Sequence, residues 1–239
     1  MKKNIVITGG AKGIGKCCAE RFLNNGYNVI VIDKILKRNI DKELKRNVDY
    51  YCCDISIESE VRKCLLEIKE KYNKIDILIN DAGIQISSPF EKYDMKSWQQ
   101  IINTNYFGTC NMIYNAYKIM DRYSTILNIL SVHSNKPRVN KYAYDSSKSA
   151  LEILTKELAL EFANKGITIN ALSFGAVNTD MNEEWKKNPQ NKDLALSKVP
   201  LKIIFEPEQI ANFCYTIINE FSSYTTGSIF TIDGGRSLF

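Results

Sequence analysis

One segment near the start of the chain restricts its fold more than any other. The apolar run Ile5-Val6-Ile7 passes directly into Thr8-Gly9-Gly10-Ala11-Lys12-Gly13-Ile14-Gly15, and Cys17 to Leu23 continue as an amphipathic stretch. Strand, glycine-rich turn and helix in that order open a unit that builds parallel sheets. Glycines let the backbone turn tightly and approach a pyrophosphate, and the helix start offers free N–H groups with a partial positive charge. The next apolar run, Val29-Ile30-Val31-Ile32, ends at Asp33, eighteen residues after Gly15. A carboxylate at that spacing can accept hydrogen bonds from the adenosine ribose hydroxyls. The segment therefore reads as a dinucleotide site, with Gly9, Gly13, Ile14 and Gly15 at the pyrophosphate and Asp33 at the ribose.

The rest of the chain keeps the same rhythm. Short apolar runs predict strands near 4–8, 28–32, 49–53, 76–80, 124–130, 167–172 and 228–232. Longer amphipathic patterns predict helices near 13–25, 58–72, 94–119, 143–164 and 207–220. Several runs are almost wholly apolar, as expected where helices cover both faces of a sheet. The expectation is an α/β fold: a Rossmann-like, doubly wound parallel sheet of about seven strands in one domain over 1–239. Residues 182–205 break the rhythm, being polar and holding Pro189 and Pro200. A substrate lid is expected there.

A second motif carries chemistry. Tyr144-Asp145-Ser146-Ser147-Lys148 puts a tyrosine and a lysine four residues apart, with Ser131 thirteen residues before the tyrosine. On a helix Tyr144 and Lys148 share a face. A lysine ammonium beside a phenol favours the phenolate. Lowering a pKa near 10 by about three units takes roughly 4 kcal/mol, which a nearby charge at low effective dielectric can supply. Tyr144 is thus expected to exchange a proton near neutral pH.

Taken together, the motifs resemble the short-chain dehydrogenase/reductase family over essentially the whole chain. Cys53-Asp54-Ile55 is similar to the strand end that contacts adenine in that family, and Asn80-Asp81-Ala82-Gly83 to its Asn-Asn-Ala-Gly, with Asp81 replacing the second asparagine. Asn103-Thr104-Asn105-Tyr106-Phe107-Gly108 resembles the segment carrying the active-site asparagine, here Asn105. Asn128-Ile129-Leu130-Ser131 carries the serine, and Phe174-Gly175-Ala176-Val177-Asn178-Thr179 resembles the segment beside the nicotinamide, with Phe174 where the family usually has proline. Thr226-Gly227 and Asp233-Gly234-Gly235 match the closing strand and its turn.

The resemblance implies hydride transfer by a nicotinamide cofactor, with the protein supplying orientation and a proton route. Tyr144 is then the general acid or base, Ser131 steadies the substrate oxygen, Lys148 assists Tyr144 and binds the cofactor, and Asn105 holds a water leading to solvent. Gly9, Lys12, Gly13, Ile14, Gly15, Asp33, Asp54, Ile55, Asn80, Ala82, Gly83, Gly175, Val177 and Thr179 form the cofactor site together with Tyr144 and Lys148. Asp33 favours NAD. Lys12 and Lys34 pull toward NADP, since family members using it often carry a basic residue at such positions. The expected reaction interconverts a small secondary alcohol and its ketone. The alternatives are an NADPH-dependent reductase of the 3-oxoacyl-carrier-protein type and a non-catalytic dinucleotide sensor. His133 and Trp185 are expected substrate contacts, and a homodimer or homotetramer is implied.

Composition excludes other classes. With one histidine and no ligand-spaced cluster, a metal site is not expected. The seven cysteines include no Cys-x-x-Cys, so reduced thiols in a cytoplasmic protein are expected. No apolar run is long enough to span a membrane, and the short basic start leaves no room for a signal peptide. The net charge of +5 comes without a long one-signed face, so nucleic-acid binding is not expected.

Overall fold

Parallel pairing of apolar strands decides the architecture. The protein is described by a computed structural model over residues 2–92, 94–182 and 189–238. Its strands are β1 (Asn4–Thr8), β2 (Asn28–Asp33), β3 (Asp49–Cys52), β4 (Ile75–Asn80), β5 (Met120–Ile129), β6 (Thr168–Phe174) and β7 (Ile229–Ile232). They form one seven-stranded sheet in the order β3-β2-β1-β4-β5-β6-β7. Every neighbouring pair is parallel, which makes this the expected doubly wound Rossmann-like fold.

Among the described residues the helices are α1 (Gly13–Leu23), α2 (Lys42–Asn47), α3 (Glu58–Tyr72), α4 (Met95–Ile102), α5 (Gly108–Ala116), α6 (Tyr142–Phe162), α7 (Pro189–Ser197) and α8 (Pro207–Thr216). Strand side chains alternate between two buried faces. Ile5, Ile7, Val29, Val31, Ile77 and Ile79 meet α1, α2 and α8 through residues such as Phe22, Leu44 and Ile210. Val6, Ile30, Ile32, Leu78, Ile126 and Ile169 meet α3, α5 and α6 through Val61, Ile68, Met112 and Phe162. None of the described helices is long and apolar enough to cross a membrane.

The continuous helix expected over 94–119 is divided. A π turn over Asn103–Phe107 separates α4 from α5. The wider turn carries the wholly buried Asn105. Just after it, a Cβ on Gly108 would stand 2.7 Å from Cγ1 of Ile55, so glycine is what allows α5 to pack there. Asp94 caps α4 by accepting from the N–H groups of Lys96 and Ser97.

Phe22 is fully buried between α1 and α8, its ring 5.0 Å from that of Tyr27 and 5.3 Å from that of Tyr215. Phe22→Ala should lower the free energy of unfolding by roughly 3–5 kcal/mol through lost burial and a cavity. Urea unfolding followed by circular dichroism checks this; a loss below about 1 kcal/mol would mean the α1–α8 layer closes over the gap.

Candidate active site

Connections leave β1 and β4 in opposite directions, so a crevice opens at their carboxyl ends. Thr8 holds the two ends together: its Oγ1 accepts from the N–H of Asp81 at 3.1 Å and of Ala82 at 3.2 Å. Gly9 turns with φ at +69°, and a Cβ on it would lie 2.8 Å from the Ala82 Cα. A Cβ on Gly15 would lie 2.5 Å from the Gly9 carbonyl oxygen. No side chain but hydrogen fits at either position. Gly13 differs, because a Cβ there would approach only Thr179, at 3.9 Å. Its backbone faces a cavity of about 300 Å³. α1 begins at this cavity with no side-chain cap and no acid in its first turn. Its free N–H groups suit an anion. At the end of β2, Asp33 accepts from the N–H of Ala11 at 3.1 Å and of Ile35 at 3.0 Å, which fixes its carboxylate beside the turn. Lys12 and Lys34 are exposed nearby.

The structure brings Asn105, Ser131, Tyr144 and Lys148 together, each less than a tenth exposed. Ser131 lies two residues beyond β5, its hydroxyl accepting from the His133 N–H at 3.2 Å, and Tyr144 lies in the first turn of α6. Both line the cavity together with Lys148. Lys148 donates to the Ile129 carbonyl at 2.7 Å, and its Nζ lies 5.8 Å from the Tyr144 ring centre. Asn105 braces the floor. It accepts from Ile84 N–H at 2.8 Å and donates to the Ile84 carbonyl and to Ser147 Oγ, both at 3.0 Å. Ser147 in turn donates to the Tyr144 carbonyl at 2.7 Å.

One expectation about the charges is overturned. Burial pushes the Tyr144 phenol up to about 12, and Arg138 and Ser131 pull it down only in part. Lys148 is not what sets it. Burial brings the ammonium itself down to about 8, with Asp81 as its Coulombic support. Arg138, absent from the sequence reading, lies 5.5 Å from the Tyr144 ring centre and pairs with Asp145 at 2.7 Å.

The other expected residues fall into groups. Gly9, Lys12, Gly13, Ile14, Ala82, Gly83, Gly175, Val177 and Thr179 line the cavity. The Phe174–Thr179 segment runs without its family proline because pairing holds it: Asn178 N–H donates to Phe205 O at 2.8 Å and Phe205 N–H to Ala176 O at 2.9 Å. Asn80 turns its amide away from the cavity, donating to Asn128 at 2.9 Å, so the side chain works in the sheet. Asp54 caps its own turn by accepting from Ser56, and Ile55 packs under α3 and α5. His133, expected to contact substrate, is buried on the cavity wall. Its Nδ1 donates to the Lys136 carbonyl at 2.7 Å, and burial holds it neutral, with a pKa near 3. Trp185 and residues 183–188 of the expected lid lie outside the described residues; α7 occupies 189–197.

Asp81 is the residue that sequence reasoning undervalued. It lines the cavity, lies by the start of α1 where the Gly15 N–H favours its charged form, and acts on Lys148, yet burial pushes its carboxyl up to about 7 from an ordinary 3.8. A carboxyl with a raised folded-state pKa binds more protons folded than unfolded between pH ~4 and ~7, so stability falls as pH rises through that window. Asp81→Asn should therefore gain stability relative to wild type as pH rises from 4 to 8. Melting or urea midpoints across that range test it, and a pH-independent difference would remove Asp81 as a titrating group.

The comparisons with known proteins agree with this geometry. A family model described as Enoyl-(Acyl carrier protein) reductase matches residues 9–237. Glucose 1-dehydrogenase 2 of Bacillus subtilis is 31% identical over 252 residues, covering 99% of this chain and 95% of that protein. A 3-oxoacyl-[acyl-carrier-protein] reductase of Thermotoga maritima is 32% identical over 241 residues, covering 98% and 97%. The solved structure of ElxO with NADP bound superposes with a TM-score of 0.90 at 31% identity over the whole of both chains. A strand-turn-helix dinucleotide crevice, a buried Ser131, Tyr144 and Lys148 at its mouth, and relatives matched from end to end all point one way: this chain belongs to the short-chain dehydrogenase/reductase family of nicotinamide-dependent oxidoreductases.

Proposed function

We propose that the protein interconverts a small secondary alcohol and its ketone with NAD as cofactor. The observation that carries this reading is the placing of Ser131, Tyr144 and Lys148 together on the wall of the same cavity that receives the start of α1. The residues fit the cofactor. The α1 N–H groups and the open face of Gly13 suit the pyrophosphate, Asp33 suits the adenosine ribose, and Gly175, Val177 and Thr179 suit the nicotinamide half. The bound nicotinamide supplies hydride transfer to or from the carbonyl carbon.

The protein's own groups handle the proton. At neutral pH the Tyr144 phenol is protonated and can donate to a carbonyl oxygen as it becomes an alcohol. Ser131 donates a hydrogen bond to that oxygen and steadies its developing charge. The phenolate left behind gains from Lys148 beside it. A point next to Gly83 lies 3.4 Å from Asn105 Oδ1 and 3.7 Å from Lys148 Nζ, and a water bridging these groups returns a proton to the site. The exposed apolar side chains Phe107, Tyr114, Ile153 and Leu160 on α5, α6 and the turn before α5 suit contact with a second copy, in a homodimer or homotetramer. Free cysteines throughout suit the cytoplasm.

A second reading is an NADPH-dependent 3-oxoacyl-carrier-protein reductase. Lys12 and Lys34 favour it, and so do a relative of that name and the NADP-bound ElxO structure. Asp33 argues for NAD, because like charges about 4 Å apart at an effective dielectric near 20 repel by roughly 4 kcal/mol. Exposed lysines return 1 kcal/mol or less, to order of magnitude.

Two measurements test these assignments. Tyr144→Phe should bind cofactor as wild type does but lose at least about a hundredfold in kcat. Rates near wild type would remove Tyr144 from the proton route, and cofactor binding by wild type with no turnover of any alcohol or ketone would return the dinucleotide-sensor reading. Wild type should prefer NAD over NADP by about tenfold or more in kcat/KM, a preference that Asp33→Ser abolishes or reverses. A wild-type preference for NADP would place the lysines above the carboxylate.

A further inference from the structure

Three cations converge on His133 from separate parts of the chain. Arg138 from the loop before α6, Arg236 from the turn after β7, and Lys136 all act on the imidazole. Arg138 and Arg236 line the same cavity as Ser131 and Tyr144. Their charges are compensated to different degrees. Arg138 is paired with Asp145 at 2.7 Å and also donates to Gln85 Oε1 at 3.1 Å. Lys136 donates from Nζ to the Arg236 carbonyl at 2.9 Å, which fixes the Arg236 backbone. The Arg236 guanidinium has no carboxylate within ion-pair distance among the described residues. Among the described residues its one hydrogen bond runs to the Ala195 carbonyl at 3.5 Å, the outer limit of such a contact. Asp233, the acid that acts on it, spends its oxygens on the N–H groups of Gly235 at 2.8 Å and Ser237 at 2.7 Å.

The two acids lining the cavity do not answer Arg236. Asp81 works on Lys148, and Asp180 is not among the groups acting on Arg236 or His133. A half-buried guanidinium facing a cavity with most of its donors unmet among the described residues is suited to a planar anion, which it can grip with two parallel hydrogen bonds. We infer that the substrate is an oxo or hydroxy acid, and that Arg236 binds its carboxylate while the reacting oxygen lies at Ser131 and Tyr144. This rests on the oxidoreductase reading above and narrows its substrate class. It also separates this chain from relatives named for glucose, an uncharged sugar.

The test uses acetoacetate and its methyl ester, which carry the same ketone with and without the charge. Reduction rates with NADH and NADPH are measured for wild type, Arg236→Gln and Arg236→Lys. Calorimetric binding to the NAD-loaded protein, where no hydride is available, reads affinity apart from turnover. The acid should exceed the ester by at least tenfold in kcat/KM and in affinity. Arg236→Gln should erase that ratio through KM, with kcat and the ester's constants within about threefold of wild type, and Arg236→Lys should restore part of it. Equal handling of acid and ester by wild type, no binding of either, or an unchanged ratio in Arg236→Gln would overturn the inference. Arg236-dependent binding of acetoacetate with no turnover of any ketone or alcohol would instead defeat the oxidoreductase reading and leave the anion site standing.

Discussion

The structure turns on a contact that has no room for a side chain. Gly15 at the start of α1 sits against the Gly9 carbonyl, and Gly9 sits against the Ala82 backbone. These approaches press the start of α1 onto the ends of β1 and β4, where the sheet's connections diverge. The crevice at that point, the open N–H groups of α1 and the position of Asp33 beside the turn all follow. A Cβ at Gly15 would force the helix away from the sheet, and the start of α1 would leave the cavity.

Around this frame the protein keeps ionisable groups in places that disfavour their charge. Lys148, Asp81, Tyr144 and His133 are each displaced toward their neutral form, with burial the leading cause. Lys148 and Asp81 offset one another, since each is the other's principal opposing charge. The phenol gains little from the lysine in this state. In the proposed reaction that arrangement suits Tyr144 to donate a proton, and a stabilising lysine matters most after the proton has left. The π turn at Asn105 belongs to the same design: it brings an amide to the floor of the site, where it ties Ile84 to Ser147 and so to the Tyr144 backbone.

Much of the fold was legible in the chain. The alternation of apolar runs with amphipathic stretches located all seven strands to within four residues at their ends, because burial on both faces demands nearly continuous Val, Ile and Leu. The glycine turn, Asp33 and the Tyr144–Lys148 pair were legible for a related reason: local geometry and chemistry restrict which residues can stand there. The π turn was not, since its sequence keeps a helical pattern and only the pocket for Asn105 selects the wider turn. The burial of His133 was not legible either, for nothing local indicates that α6 and the turn after β7 cover it.

The sequence by itself determined the class of sheet, the glycine turn and the Ser131, Tyr144 and Lys148 set that the proposed function uses, because each rests on contacts within a few residues or on a strict periodicity. Only the tertiary structure decided how those groups are charged. Asp81 meets Lys148 across the sheet's switch point, Arg138 folds back over Tyr144, and Arg236 reaches the cavity from the far end of the chain, next to His133. Charge and pKa depend on distances through space and on loss of water. Those are set by how distant segments pack, which no local stretch of sequence records.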